Sequence, residues 1–232
     1  MLAIVTGSAK GIGKELIIKL SEKGYDVIIT YNNSKNEAEL LKTYVETNYG
    51  INADIFKCDI SKEEDIISLR DYIINKYGKL DILINNAALS IDNSIDEKTK
   101  EEFMKVLEVN VVGTFLVSKY LYKYMDNGII VNISSTDAED TFSTLNIDYS
   151  ASKAGINIIT KTMALELKNV RVIGVMPNWT NTESIKEMNP DYLKSELERI
   201  GQKELEEPEE VASNILKLVF DNNIKSGEIR RV

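Results

Sequence analysis

The sequence has no histidine, one cysteine, one tryptophan and three prolines among its 232 residues. Each shortage removes an option. Without histidine there is no Ser-His-Asp triad, no Cys-His pair and no histidine-ligated zinc centre. Proton transfer is left to Tyr, Lys, Cys or a carboxylate, and no metal is expected. A lone Cys58 has no partner for an internal disulfide and fits a reducing compartment. Basic residues are short as well: 28 Lys and Arg stand against 37 Asp and Glu, a formal charge of −9, with no basic run. Nucleic acid and anionic membrane are therefore not expected as partners. No apolar stretch approaches the roughly 18 residues that span a bilayer. The opening Met-Leu-Ala-Ile-Val lacks the basic flank of a secretory signal, so a cytoplasmic location is expected.

What the chain does have is alternation. Short β-branched runs at Leu2–Val5, Val27–Tyr31, Ile51–Lys57, Ile82–Asn85, Ile129–Ile133, Val170–Met176 and Glu228–Arg230 are separated by helical patterns. The helices fall around Gly13–Lys23, Glu37–Thr47, Glu63–Tyr77, Lys100–Tyr124, Ser150–Leu167 and Glu209–Phe220. Continuous apolar strands such as Ile82-Leu83-Ile84 suit a sheet covered on both faces. The pattern predicts an α/β fold: one doubly wound parallel sheet of about seven strands, helices on both faces, in a single domain over 1–232. The least regular stretch, 178–207, follows the sixth strand and is long enough to be a lid where α/β sheets bind ligands. Pro208 fits the first turn of the last helix.

Directly after the first strand stands Thr6-Gly7-Ser8-Ala9-Lys10-Gly11-Ile12-Gly13, and a helix follows at once. Glycines here let a backbone approach a pyrophosphate, and the helix N-terminus offers free amides and positive potential. The spacing is G-x-x-x-G-x-G, and with it come further ordered motifs. Asn85-Asn86-Ala87-Ala88 follows the fourth strand, Asn110 sits in Glu-Val-Asn-Val-Val-Gly, and Ile133-Ser134-Ser135 precedes Tyr149-Ser-Ala-Ser-Lys153. Pro177 to Thr182 and Glu207-Pro208-Glu209-Glu210-Val211-Ala212 close the series. Together these resemble the short-chain dehydrogenase/reductase family along nearly the whole chain, with the closest look to bacterial 3-oxoacyl-[acyl-carrier-protein] reductases of fatty-acid synthesis. The resemblance implies a Rossmann-type fold and a nicotinamide cofactor.

Tyr149 and Lys153 are four apart on a predicted helix and share a face. A free phenol, with a pKa near 10, is a poor acid–base catalyst at neutral pH, but a nearby ammonium favours its ionised form. The resemblance makes Tyr149 the proton donor in carbonyl reduction. It also has Lys153 hold the nicotinamide ribose, Ser135 polarise the substrate oxygen, and Asn110 hold a water that connects Lys153 to solvent. Taken singly, Ser135 is equally a turn residue or cap, Asn110 a surface residue, and a Tyr/Lys pair an ordinary helix face. The acidic loop from Thr136 to Asp148, with Asp137, Glu139 and Asp140, reads as a solvated loop. Its functional alternative is a substrate mouth that disfavours anions.

NADP(H) is expected in preference to NAD(H). The second strand ends with Tyr31 where an NAD site would place a carboxylate on the ribose. Lys10 in the glycine turn matches the basic position facing a 2′-phosphate in NADP-preferring relatives, although it is also an ordinary solvated turn residue. Asn32 and Ser34 add donors. By resemblance the cofactor-binding set is Gly7, Ser8, Lys10, Gly11, Ile12, Gly13, Tyr31, Asn32, Asp59, Ile60, Asn86, Ala87, Ala88, Tyr149, Lys153, Pro177, Thr180 and Thr182, with Asp59 equally suited to capping the next helix. Ala88 and Asn178 stand where the family has glycine, which strains the backbone if φ there is positive. The expected partner is a small-molecule or carrier-bound acyl substrate. A small ketone, sugar or polyol is the alternative, and a catalytically idle NADP(H)-binding regulator a third reading. A homodimer or homotetramer through the helices near 100–124 and 150–167 is expected, where Leu116, Tyr120 and Tyr124 recur at helical spacing as either interface or core.

Overall fold

The computed structural model describes every residue except Glu187 and the side chain of Ser184. Seven strands form one parallel sheet: β1 (Leu2–Val5), β2 (Asp26–Tyr31), β3 (Ala53–Lys57), β4 (Ile82–Asn85), β5 (Ile129–Ile133), β6 (Arg171–Met176) and β7 (Ile229–Arg231). Their order is β3-β2-β1-β4-β5-β6-β7. The chain thus starts mid-sheet, winds to one edge and crosses back past β1 to the other. That reversal between β1 and β4 opens a crevice beyond the carboxyl ends of the strands, where ligands of such sheets bind.

The strands are apolar throughout because both faces are covered. In β1, Ala3 and Val5 face one core while Leu2 and Ile4 face the other. In β4, Ile82 and Ile84 separate from Leu83 in the same way. The first core takes in α1 (Gly11–Glu22), α2 (Lys35–Tyr49) and, later in the chain, the final helix at 208–220. The second takes in α3 (Glu63–Tyr77) and the helix of 114–121.

Two helical expectations change. The helix anticipated over 100–124 is α4 (Lys100–Leu107), a π-wound turn at Glu108–Gly113, α5 (Thr114–Leu121) and a closing 3₁₀ turn at Tyr122–Tyr124. The π turn brings Asn110 inward, to 1% exposure; such turns recur at functional sites. Leu116 and Tyr120 pack against the second core, so that stripe is largely intramolecular. After α6 (Ile147–Glu166), the segment 178–207 is not irregular. It contains α7 (Glu183–Lys186) and α8 (Pro190–Ile200), and α9 (Pro208–Phe220) follows it. Within this segment Glu187 and the Ser184 side chain lie outside the described residues. The signals for α8 were present: Asn189 caps Asp191 and Tyr192, Pro190 takes the first turn, and Gly201 ends it at φ 73°. Leu193, Leu197 and Ile200 also recur at helical spacing and lie half-buried on the face of Glu196, so the apolar stripe was legible as well. Among the described residues no helix is long and apolar enough to cross a membrane.

Candidate active site

A cleft of about 1080 Å³ lies at the crevice and joins the glycine turn to Tyr149. The turn between β1 and α1 needs its glycines. Gly7 and Gly11 adopt φ of 60° and 55°. A Cβ on Gly7 would stand 3.0 Å from Ala87, and one on Gly13 would stand 2.6 Å from Asn86 Nδ2 and 2.9 Å from the Gly7 carbonyl. The first-turn amides of α1 have no intrahelical acceptor, and Gly11, Ile12 and Gly13 line the cleft. No side chain can fill this cradle, so it fits a pyrophosphate on a helix N-terminus. Asn86 and Thr6 brace it: the Asn86 and Ala87 amides donate to Thr6 Oγ1 at 2.9 and 3.0 Å, and Asn86 Nδ2 donates to the Thr6 carbonyl at 2.9 Å.

Two residues expected at the cofactor are placed elsewhere. Ser8 is fully buried, its hydroxyl accepting from the Thr30 amide at 3.2 Å, because the turn is tied there to β2. Tyr31 does not line the cleft; its ring packs on the first core. Lys10, Asn32, Asp59 and Ile60 do line it. Burial works to raise the Asp59 carboxyl, but hydrogen bonds from Ser61 and Asn32 prevail and hold it below the usual carboxylate range. Asp59 therefore closes a local turn on Ser61 rather than capping α3, whose cap residue is Lys62. Lys10 pairs with Glu37 at 2.8 Å, a carboxylate from the first turn of α2 that the strand-end reading missed.

At the other end, Ser135, Tyr149 and Lys153 converge on the cleft with Ala87, Ala88 and Pro177, and Thr180 and Thr182 line it beside them. The Lys153 ammonium lies 5.2 Å from the centroid of the Tyr149 ring and donates to the Ile133 carbonyl at 2.9 Å. Burial lowers its pKa to about 8, against the pull of Asp137. The Tyr149 phenol is pushed well above its ordinary value by burial and by the charge of Asp137, while its hydrogen-bonding neighbour Ser135 works the other way. Ser135 also accepts from the Asp137 amide at 3.1 Å, so it is a turn cap as well as a cleft residue. Asn110 does not line the cleft. Its amide donates to the Leu89 carbonyl and to Ser152 Oγ, both at 2.9 Å, and its oxygen accepts from the Leu89 amide at 2.7 Å. It ties the strand-end loop to α6.

The acidic loop is the main departure from the sequence reading. Asp137 is 3% exposed and lines the cleft, accepting from Thr141 Oγ1 at 2.8 Å and from Trp179 Nε1 at 3.4 Å. Burial raises its pKa. Asp148 is fully buried and pairs with Lys98 at 3.1 Å, and Glu139 and Asp140 both pair with Arg231 at 2.8 Å. Distant partners thus bury Asp137 and Asp148, while Glu139 and Asp140 stay exposed. The glycine departures are harmless: neither Ala88 nor Asn178 has a positive φ, and Asn178 Oδ1 accepts from Thr136 Oγ1 at 3.0 Å.

Comparison with known proteins agrees with this geometry. Residues 1–193 match the family model described as short chain dehydrogenase. The chain is 33% identical over 227 residues to glucose 1-dehydrogenase 2 of Bacillus subtilis, covering 94% of this chain and 87% of that one. It is 32% identical over 227 residues to the 3-oxoacyl-[acyl-carrier-protein] reductase of Thermotoga maritima, covering 96% and 91%. Among solved structures, a Sinorhizobium meliloti dehydrogenase/reductase superposes with a TM-score of 0.92 at 28% identity over 100% of this chain and 92% of that one. A Burkholderia cenocepacia short chain dehydrogenase in complex with NADP superposes with a TM-score of 0.90 at 26% identity over 99% and 95%.

Proposed function

Since the chain belongs to the short chain dehydrogenase family, we propose that it is an NADP(H)-dependent oxidoreductase that reduces a carbonyl to an alcohol with Tyr149 as the acid. The observation that carries this is the buried Lys153 beside the Tyr149 ring, in the same cleft as the glycine cradle. Bound nicotinamide supplies the hydride. Tyr149 Oη donates its proton to the substrate oxygen, and its raised pKa keeps it protonated at neutral pH, the state that reduction requires. Ser135 Oγ polarises the same oxygen. Lys153 Nζ would hold ribose hydroxyls and places positive charge beside the phenol. Asn110 fixes the Leu89 loop against α6.

NADP(H) is favoured by Lys10 and Asn32 in the cleft and by Tyr31 in place of a strand-end carboxylate; Glu37 on Lys10 tempers that preference. The lead substrate class is a 3-oxoacyl thioester on a carrier, supported by likeness to the Thermotoga maritima reductase. A small ketone, sugar or polyol is the second reading, favoured by the buried Asp137 and by likeness to a glucose dehydrogenase. The segment 178–207 serves as the lid, with Trp179 and Met188 on the cleft wall. A second copy of the chain docks on exposed Met104, Val112, Phe115, Ile158 and Leu165 of the 100–124 and 150–167 helices. The test is NADPH and NADH consumption with an acetoacetyl thioester and with small hydroxyketones, Tyr149→Phe alongside. Turnover that prefers NADPH and collapses in the variant supports the proposal. Cofactor binding without turnover of any carbonyl would favour the idle regulator.

A further inference from the structure

We propose that Asp137 selects the substrate: its carboxylate receives a hydroxyl carried next to the reacting carbonyl and rejects carbonyl compounds bearing an anionic group there. This rests on the reductase reading and, within it, favours the second substrate class over the carrier-bound thioester: a small hydroxylated ketone or aldehyde rather than a 2-oxo acid. The placement is tight. The Asp137 amide donates to Ser135 Oγ at 3.1 Å, which fixes the carboxylate in the turn that carries the polarising hydroxyl. Both described donors to the side chain, Thr141 Oγ1 at 2.8 Å and Trp179 Nε1 at 3.4 Å, engage Oδ1. A carboxylate has a second oxygen with its own lone pairs to offer.

Lys153 and Arg199 act on Asp137 through space, while their hydrogen bonds go elsewhere. Lys153 donates to the Ile133 carbonyl, and Arg199 to Glu196 and to the Phe142 carbonyl. A charge this buried, bonded by neutral donors, is costly to keep without a use for it. Asp92 adds a second carboxylate to the same cleft. If Asp137 only held the loop to Trp179, asparagine would serve as well, since its side-chain oxygen accepts the same two bonds. A carboxylate is distinguished by the ligands it attracts and repels.

The experiment compares kcat/KM with NADPH for three carbonyls of matched skeleton: 1-hydroxy-2-butanone, 3-pentanone and 2-oxobutanoate. In Asp137→Asn, the ratio of hydroxyketone to plain ketone should fall roughly tenfold, the scale of one hydrogen bond to a charged acceptor. The ratio of 2-oxobutanoate to plain ketone should rise. Thr141→Val, which removes a loop bond but keeps the charge, should leave both ratios in place. Unshifted ratios in Asp137→Asn, or equal shifts in both variants, overturn the inference while the reductase reading stands. If Asp137→Asn does not fold, the unmodified protein decides: 2-oxobutanoate turned over as well as 3-pentanone overturns it. No consumption of NADPH or NADH with any of the three, but turnover of an acetoacetyl thioester, overturns the inference alone, and no turnover of any of the four overturns the reading with it.

Discussion

The two ends of the cleft are built by different means. The nucleotide end is made of backbone: glycines at φ near 60°, a helix N-terminus and a turn whose braces, Thr6, Thr30 and Asn86, bond main-chain groups. The substrate end is made of side chains that meet across long loops, such as Asp137 with Trp179, Thr136 with Asn178 and Ser143 with Tyr192. A backbone site tolerates change in side chains but none in shape. A side-chain site behaves in the opposite way, since substitution there alters chemistry first. Loss of one function without the other is therefore the signature to look for.

The largest separation should come from Tyr149→Phe. Loss of the phenolic proton should cost about 10³-fold in kcat, within the range for general acid catalysis. The variant should still quench or shift NADPH fluorescence on binding. Gly13→Val should do the reverse. A side chain there runs into Asn86 and the Gly7 carbonyl, so NADPH binding should fall at least tenfold in the same titration. If both variants lose binding and rate together, the two ends are not separable and the division above is wrong.

Next in size is a stability effect confined to the substrate end. Lys98 and Asp148 are 4% and 0% exposed as side chains and lie 3.1 Å apart, with Lys98 also donating to the Ile91 carbonyl. This pair clamps the loop after β4 onto the residue before Tyr149. Lys98→Met strands a buried carboxylate and should cost about 3–5 kcal/mol in urea unfolding. Adding Asp148→Leu should recover most of it, because removing both charges removes the desolvation cost. Failure of the second substitution to rescue would mean that the pair is not what holds the loop.

How much of this was legible in the sequence follows the same division. Strand and helix positions were nearly all readable, because apolar runs covered on both faces carry a strong local signal: β1, β4 and β5 sit where the residues put them. The glycine cradle was readable for the same reason, since φ and close approach are local demands. Ser8 and Tyr31 were misplaced because spacing locates a residue near a site without giving the direction of its side chain. Asp137 and Asp148 were read as solvated because Trp179 and Lys98, against which they are buried, are remote in sequence, whereas Glu139 and Asp140 are exposed as read and pair with Arg231. α8 was missed although its caps and its Leu193, Leu197 and Ile200 face are both local signals.

A smaller effect lies in pH. The Lys153 ammonium is the proton-bearing form below about 8, since burial lowers its pKa from the ordinary lysine value. Its charge is lost as pH rises through that value, so kcat/KM for reduction should break downward near pH 8. The groups that act on this pair are Asp137 from the loop after β5, which raises the Lys153 pKa, and Asp137 with Asp92, which raise that of Tyr149. Neutralising Asp137 should therefore move the break to lower pH, and Lys153→Arg should remove it from this range. A profile flat to pH 10 would show that Lys153 titrates elsewhere.

The smallest effect tests the nucleotide end itself. Lys10 and Glu37 are about half exposed, at 45% and 42% of their side-chain surface, and 2.8 Å apart. The hydrogen bond from Lys10, with the backbone of Glu37 itself, holds the Glu37 carboxyl below its usual range, so it is ionised at neutral pH. An ionised Glu37 competes with a 2′-phosphate for Lys10 and adds repulsion of its own. Glu37→Gln should remove both and raise the NADPH-to-NADH preference about threefold, a modest change because exposed pairs are well screened. The gain should shrink in 0.5 M salt, where the Debye length is only a few ångströms, roughly. Lys10→Gln should lower the preference instead, and the double variant should fall between the two. If Glu37→Gln leaves the ratio of dissociation constants unchanged, Lys10 does not reach the phosphate. The preference would then rest on Asn32 and on the missing carboxylate at Tyr31, with the backbone cradle indifferent to which dinucleotide it holds.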